Sequence, residues 1–359
     1  MIYEHGGDIY SHLEKGVKML DFSANINPLG LPPQVSAALA SAQAAATVYP
    51  DPHCRALCRS IGEFYGVSPE KVVCGNGAAD LIDRIAYGLT PKTALVTAPT
   101  FSEYEKSVTR AGGVVFRHIL KENQGFEIGE DILEAIREKK PQMVFLCNPN
   151  NPTGLLTEKP LLLEIARLCQ DLGTTLVVDE CFLDFTGKES QYSLMDSLED
   201  FPNLIILKAF TKFFAMPGIR LGYLLTANPH FREAVWAAGQ PWSVSGIAQT
   251  CGIAALKDSA YIQKTLEEIP RLRQELVKAL TPLPITLYPG TANFLLFRSD
   301  YPALDKKIQE KGILIRNCGN YPGLGEGFYR VAVKSQEDNQ KLSEALIQVL
   351  LQIKKGSME

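Results

Sequence analysis

The residues most able to do chemistry occur as four separate groups. Lys212 lies between Phe210 and Phe213 in LKAFTKFFAMPGIRLGY, eight residues before Arg220. Desolvation lowers a lysine's pKa and frees its amine to act as a Schiff-base nucleophile, although a lone loop lysine is usually solvated. Asp179 closes the apolar run TLVVD. A carboxylate there is costly to bury unless a cation or hydrogen-bond donors meet it, so it suits either a charged ring nitrogen or an ordinary cap or ion pair. Gly75-Asn76-Gly77-Ala78-Ala79 opens a helical pattern after a β-rich run, where small residues let backbone N–H groups approach an anion. An ordinary glycine turn reads the same way. Asn148 to Gly154, NPNNPTG, is a dense polar turn after MVFLC that is either structural or holds an amide over the sheet edge.

Taken together in chain order, an anion cradle, an amide turn, a strand-end carboxylate and a lysine with a downstream arginine form a set suited to pyridoxal 5'-phosphate. That cofactor needs an aldehyde partner, a counter-ion for its pyridinium nitrogen and anchors for its phosphate. The glycines match neither GxGxxG nor GxxxxGK[ST], so a dinucleotide or ATP site is not indicated.

The elements that must position these groups are α/β. VVCG (72–75), ALVTA (94–98), VVFRHI (114–119), MVFLC (143–147), TLVVD (175–179), LIILK (204–208) and GYLLT (222–226) are mostly continuous apolar runs, as in strands covered by helices on both faces. They predict a mostly parallel seven-stranded sheet, with ligands at the strand ends. Thr157 is placed to cap the next helix and Gly173 to end it. An amphipathic stretch runs from about 248 to 280, with a bend or break expected at Pro270. The strands ANFLLFR and FYRVAV and a final helix from near Ser335 follow, and Asp8 is a candidate cap. We divide the chain into residues 41–247, a large cofactor domain; 248–359, a smaller α+β domain; and 1–40, a segment packing with the smaller one.

The chain has 359 residues, 46% hydrophobic and 21% charged, enough for a sizeable core. Its formal charge of -4 and lack of long like-charge runs give no footprint for nucleic acid. The start, MIYEHGGD, has no secretory pattern, and no apolar run approaches the ~18 residues needed to span a bilayer. Eight scattered cysteines fit a reducing cytoplasm. His53, Cys54 and Cys58 lack the second ligand pair a zinc site needs, so no metal is expected.

These motifs resemble the fold-type I pyridoxal-phosphate enzymes of the class I/II aminotransferase superfamily over nearly the whole chain. The resemblance implies that Lys212 holds the cofactor covalently, Asp179 pairs with its pyridine nitrogen and Asn151 meets O3'. It implies that Arg220, Gly77, Ala78 and Thr211 surround the cofactor phosphate and that Phe101, in APTFSEY, stacks on the ring. Tyr49, in VYPD, is similar to the tyrosine that reaches the neighbouring subunit's cofactor, which implies a homodimer with shared active sites. Phe182 and Ala209 replace hydroxyl residues common in the superfamily.

His5-Gly6-Gly7-Asp8, DFSANINPLG (21–30), PWSVS (241–245) and ILIRNCGNYPGL (313–324) are similar to the threonine-phosphate decarboxylases of cobalamin biosynthesis. That resemblance implies decarboxylation of L-threonine O-3-phosphate, with Lys212 and Asp179 catalytic. It implies a substrate phosphate near His5, Asn27, Arg316 and, less directly, Ser23, a carboxylate near Asn151 and Arg330, and a functional link to the cobinamide-forming synthase. The alternatives are a histidinol-phosphate or related aminotransferase and, from another class, a non-catalytic scaffold.

Overall fold

The computed structural model describes residues 5–351. Seven strands form the main sheet: Val72–Gly75 (β1), Thr93–Ala98 (β2), Val114–Ile119 (β3), Met143–Cys147 (β4), Thr175–Asp179 (β5), Leu204–Ala209 (β6) and Gly222–Leu225 (β7). Their order is β1-β7-β6-β5-β4-β2-β3. All pairs are parallel except those of β7, which runs antiparallel to both β1 and β6. The ends of β1, β2, β4, β5 and β6 and the start of β7 therefore share one sheet edge. Strands β4, β5 and β6 are buried at every position, as their unbroken apolar runs require between two helical layers.

A second, antiparallel sheet has Phe294–Arg298 at its centre between Phe328–Ala332 and Thr286–Leu287, with Arg316–Asn317 on the far side of Phe328–Ala332. Leu20–Asp21 pairs with Ile313–Leu314, and Phe22 packs in one core with Leu276, Leu295, Val331 and Leu346. Residues 20–22 thus sit on the smaller sheet's core, but Val35 of the helix Pro33–Ser41 and Ala248, Cys251 and Ala255 of the helix Gly246–Lys257 lie in the main core, so the cores do not divide at 40/41 and 247/248 as expected. The main core is separate and contains β4–β7 and the helices Ala78–Leu89 and Lys159–Asp171.

Two local expectations are corrected. Thr157 does not cap the helix Lys159–Asp171; its N–H donates to Asn148 Oδ1 at 2.8 Å, so it braces the polar turn, and Glu158 is the cap residue. The amphipathic stretch breaks at Asp258, not Pro270. Asp258 separates Gly246–Lys257 from Ser259–Leu280 and accepts the Tyr261 N–H at 3.2 Å. Pro270 lies within the second helix, whose buried face of Tyr261, Thr265, Ile269, Leu272, Leu276 and Leu280 offsets a proline cost of about 3 kcal/mol. Ser335 does cap the last helix, Gln336–Leu351, by accepting the Asp338 N–H at 3.2 Å.

Candidate functional site

The shared sheet edge opens into a cavity of about 440 Å³. Of the residues singled out from the sequence, His5, Ser23, Ala78, Phe101, Asn151, Asp179, Thr211, Lys212, Arg220, Arg316 and Arg330 line it. Lys212 follows β6 in the one-turn helix Phe210–Phe213. Burial, with Arg330 and then Arg220 adding repulsion, lowers its pKa to about 8. No described residue hydrogen-bonds or ion-pairs with its Nζ. A far larger share of the amine is thus neutral near pH 8 than in an ordinary lysine, which suits it to act as a nucleophile.

Asp179 ends β5 and is buried. Burial raises its pKa against the pull of two donors, the Cys181 N–H at 2.9 Å and the Tyr104 hydroxyl at 2.6 Å. No cation forms a salt bridge with it among the described residues. A deeper ionic cluster lies behind it. Lys208 is 2.6 Å from Asp184 and 3.7 Å from Glu180, all buried. Burial works against the Lys208 charge, yet Asp184 and Glu180 outweigh it and lift its pKa. Burial pushes Glu180 up to about 7, while Ser193 donates to both its oxygens at 2.9 and 2.8 Å.

The anion cradle is built by close approach of backbone. Gly77, at φ 91°, precedes the helix Ala78–Leu89. A Cβ there would stand 2.6 Å from Arg220 Nη2, and a Cβ on Gly222 would stand 2.8 Å from the Ala78 nitrogen. Two glycines therefore bring a guanidinium and a helix-start N–H together, with the Thr211 side chain on the same cavity. Arg220 itself adopts φ 60°, and its Nη2 donates to the Asn76 carbonyl at 3.3 Å. An unpaired amine, a buried carboxylate awaiting a cation and this cradle fit pyridoxal 5'-phosphate.

The opposite chemistry comes from the smaller sheet. Arg330 is buried; it donates to Asn151 Oδ1 and, at 2.8 Å, to the Ser23 carbonyl. Its Nε is buried without a hydrogen-bond partner among the described residues. Arg316 is the direct cross-strand neighbour of Arg330. It donates to the Asn317 carbonyl at 2.5 Å and to Asn320 Oδ1 at 2.9 Å, and its guanidinium lies 5.2 Å from the Tyr321 ring. His5 Nε2 is 2.9 Å from Glu103 Oε1, and its ring is 5.7 Å from that of Phe101. The His5 bond is the main reason the Glu103 pKa is held down to about 2.

Three expected residues lie elsewhere. Asn27 does not line the cavity; its amide donates to the Phe213 carbonyl at 2.8 Å and to Thr265 at 3.0 Å, while its N–H meets the Lys212 carbonyl at 3.1 Å. It braces the lysine's segment, and Asn25 lines the cavity instead. Gly77 shapes the cradle without contributing to the wall. Tyr49 is 80% exposed and packs on Trp242 at 4.7 Å, away from its own chain's cavity. Phe182 and Ala209 both line it, offering no hydroxyl, beside Asn151 and Thr211. The sequence reading missed Glu103 and Tyr104, which fall two and three residues after Phe101. The signal was their position in APTFSEY, at the start of the helix Glu103–Arg110.

Comparison with known proteins agrees with this architecture. Threonine-phosphate decarboxylase of Salmonella typhimurium is 39% identical over 336 residues, covering 93% of this chain and 92% of that protein. The adenosylcobalamin biosynthesis bifunctional protein CobDQ of Leptospira interrogans is 32% identical over 356 residues, 95% of this chain and 40% of that protein. The solved structure of histidinol-phosphate aminotransferase from Clostridium acetobutylicum superposes with a TM-score of 0.87 at 31% identity, covering 93% of this chain and 100% of the other. The profile described as Aminotransferase class I and II matches residues 17–346. The chain belongs to the aminotransferase class I and II family.

Proposed function

We propose that this chain is a pyridoxal-phosphate-dependent decarboxylase converting L-threonine O-3-phosphate to (R)-1-amino-2-propanol O-2-phosphate and CO2. The observation that carries the reading is the pairing of Arg316 with Arg330 across adjacent strands, both on the cavity wall. Two guanidinium-bearing residues side by side on one wall suit a substrate that carries both a carboxylate and a phosphate. Arg220 with its glycine cradle serves a third anion, the cofactor phosphate. The similarity to threonine-phosphate decarboxylase supports the same choice.

Bound pyridoxal 5'-phosphate supplies an electron sink for the pair released at Cα. The protein does the rest. Lys212 would hold the cofactor through its amine, and Asp179, itself held by Tyr104 and Cys181, would face the pyridine nitrogen as its counter-ion. Arg330 and Asn151 receive the substrate carboxylate. Arg316 and His5 receive its phosphate, with Ser23 nearby. Two anchors at opposite ends of the substrate would fix its rotation about Cα in the cavity. Lys212 lies on the same cavity wall as these groups and is suited to return the proton to Cα.

Tyr49 and Trp242 are exposed aromatic neighbours on one chain, and we assign them to a homodimer in which Tyr49 reaches the partner's cofactor phosphate. We place the enzyme in the cytoplasm, with its eight cysteines free, and its product is suited to the cobinamide-forming synthase. Among the described residues no helix is long and apolar enough to cross a membrane. The similarity to histidinol-phosphate aminotransferase favours a second reading, amino transfer. The purified protein, given L-threonine O-3-phosphate and no 2-oxo acid, should release CO2. Acceptor-dependent transfer from histidinol phosphate without CO2 would overturn the proposal.

A further inference from the structure

Three thiols meet away from the catalytic cavity. Cys54 precedes the helix Arg55–Tyr65 in a left-handed conformation, φ 50°, and Cys58 lies one turn further on. Cys74 is the third residue of β1. The Sγ atoms of Cys58 and Cys74 are 3.8 Å apart, and the Cys54 thiol also meets Cys74. All three line a second cavity of about 370 Å³, whose wall carries His53, Arg55, Arg59 and Arg232. The described residues contain no group of three or more His, Cys, Asp or Glu side chains arranged to hold a metal. What the cavity offers a small molecule is a pair of sulfur atoms in contact.

We propose that Cys58 and Cys74 are an oxidation site of the folded protein, closing to a disulfide when a hydroperoxide enters this cavity. The pair is chemically unequal. The Cys74 hydrogen bond lowers the Cys58 pKa, whereas hydrogen bonding with Cys54 and Cys58, together with burial, raises that of Cys74. Cys58, on the helix that carries Arg55 and Arg59 into the cavity wall, is assigned as the attacking sulfur. Its thiolate attacks one peroxide oxygen, the O–O bond breaks, and the departing hydroxide takes up a proton to become water. Cys58 is left as a sulfenic acid. Cys74 then attacks the Cys58 sulfur, the S–O bond breaks, and hydroxide leaves with the Cys74 proton as a second water. Two thiols and one hydrogen peroxide give one disulfide and two waters; the sulfurs lose two electrons and the peroxide oxygens gain them.

Closure shortens the 3.8 Å contact to about 2.05 Å. The consequence falls on the neighbouring site. Cys74 is followed by Gly75, Asn76 and Gly77, the turn that brings the Ala78 nitrogen and Arg220 together. The bond would tie this turn to the helix that follows Tyr49.

The test treats the purified full chain with hydrogen peroxide, alkylates the remaining thiols after unfolding, digests without reductant and maps the peptides by mass spectrometry. The expected result is one peptide pair joined through Cys58 and Cys74. Alkylation should be lost equally at those two positions and retained at Cys169 and Cys251. In Cys74→Ser, Cys58 should be trapped by dimedone as a sulfenic acid, and in Cys58→Ser the link and any dimedone adduct at position 74 should both vanish. Alkylation of Cys58 and Cys74 equal to that of Cys169 after peroxide would overturn the proposal. So would a predominant Cys54–Cys74 link, or oxidation seen only when the protein is unfolded first.

Discussion

Replacing Asp179 by asparagine separates the cost of burying a carboxylate from the use made of it. Its oxygens accept the Tyr104 hydroxyl at 2.6 Å and the Cys181 N–H at 2.9 Å, yet burial still raises its pKa. In Asp179→Asn the amide oxygen keeps the Cys181 bond, and the Tyr104 hydroxyl, able both to donate and to accept, takes the new N–H. The cofactor-free protein therefore sheds a desolvation penalty without losing a hydrogen bond, and its melting temperature should hold or rise. Its pH dependence should flatten as well. With the folded pKa above the unfolded one, the folded state binds more protons between the two values, so wild-type stability falls as pH rises through that window. Cofactor binding moves the other way. Losing a charge-assisted hydrogen bond to the pyridinium costs about 1.5–3 kcal/mol, or roughly 10- to 150-fold in Kd. Titration of the cofactor-free protein with pyridoxal 5'-phosphate, followed by absorbance, and thermal scans with and without the cofactor measure both terms. A lower melting temperature without cofactor, together with an unchanged Kd, would refute the assignment of Asp179 as the ring's counter-ion.

Three further outcomes follow from the same geometry. Because the Lys212 pKa is lowered to about 8 from an ordinary 10.5, its reductive methylation in the cofactor-free protein should rise with a midpoint near that value. Stability should also climb with pH between those values, where the unfolded state binds more protons, and Lys212→Met should abolish the slope. Gly77→Ala should weaken cofactor binding, since its Cβ would meet Arg220 at 2.6 Å and its φ of 91° is a glycine conformation costing about 1–3 kcal/mol for other residues. Gly218→Ala, with nothing within 4 Å, is the control and should bind normally in the same titration. Lys208→Ala leaves the buried Glu180 and Asp184 without their cation and should cost about 3–5 kcal/mol in urea unfolding at pH 8. The loss should shrink at pH 5.5, because Glu180 already titrates at about 7; equal losses at both pH values would contradict the buried ion cluster.

Much of the sheet was legible because a buried parallel strand must be apolar along its length, and Met143–Cys147, Thr175–Asp179 and Leu204–Ala209 are. The residues at their ends were legible too. A carboxylate closing TLVVD and a lysine among phenylalanines each also read as ordinary, and it was their conjunction with the glycine turn and the amide turn that marked a site. Asn27 shows where such reading stops. It shares a polar run with Ser23 and Asn25, and the run itself does not say that Asn27 braces Phe213 and Thr265 while Asn25 faces the cavity. Pro270 shows the same limit, since the packing of six buried side chains on its helix outweighed a local breaker.

The sequence by itself determined the strands, the strand-end positions of Asp179 and Lys212, and the glycine turn before a helix, because each follows from residues adjacent in the chain. Tertiary structure alone decided the pairing of Arg316 with Arg330, the reach of Arg330 to Asn151 across 179 positions, the hold of Tyr104 on Asp179 and the meeting of Cys58 with Cys74. Those contacts depend on register and on the docking of two separately cored sheets, and such long-range packing leaves no periodic trace in the chain.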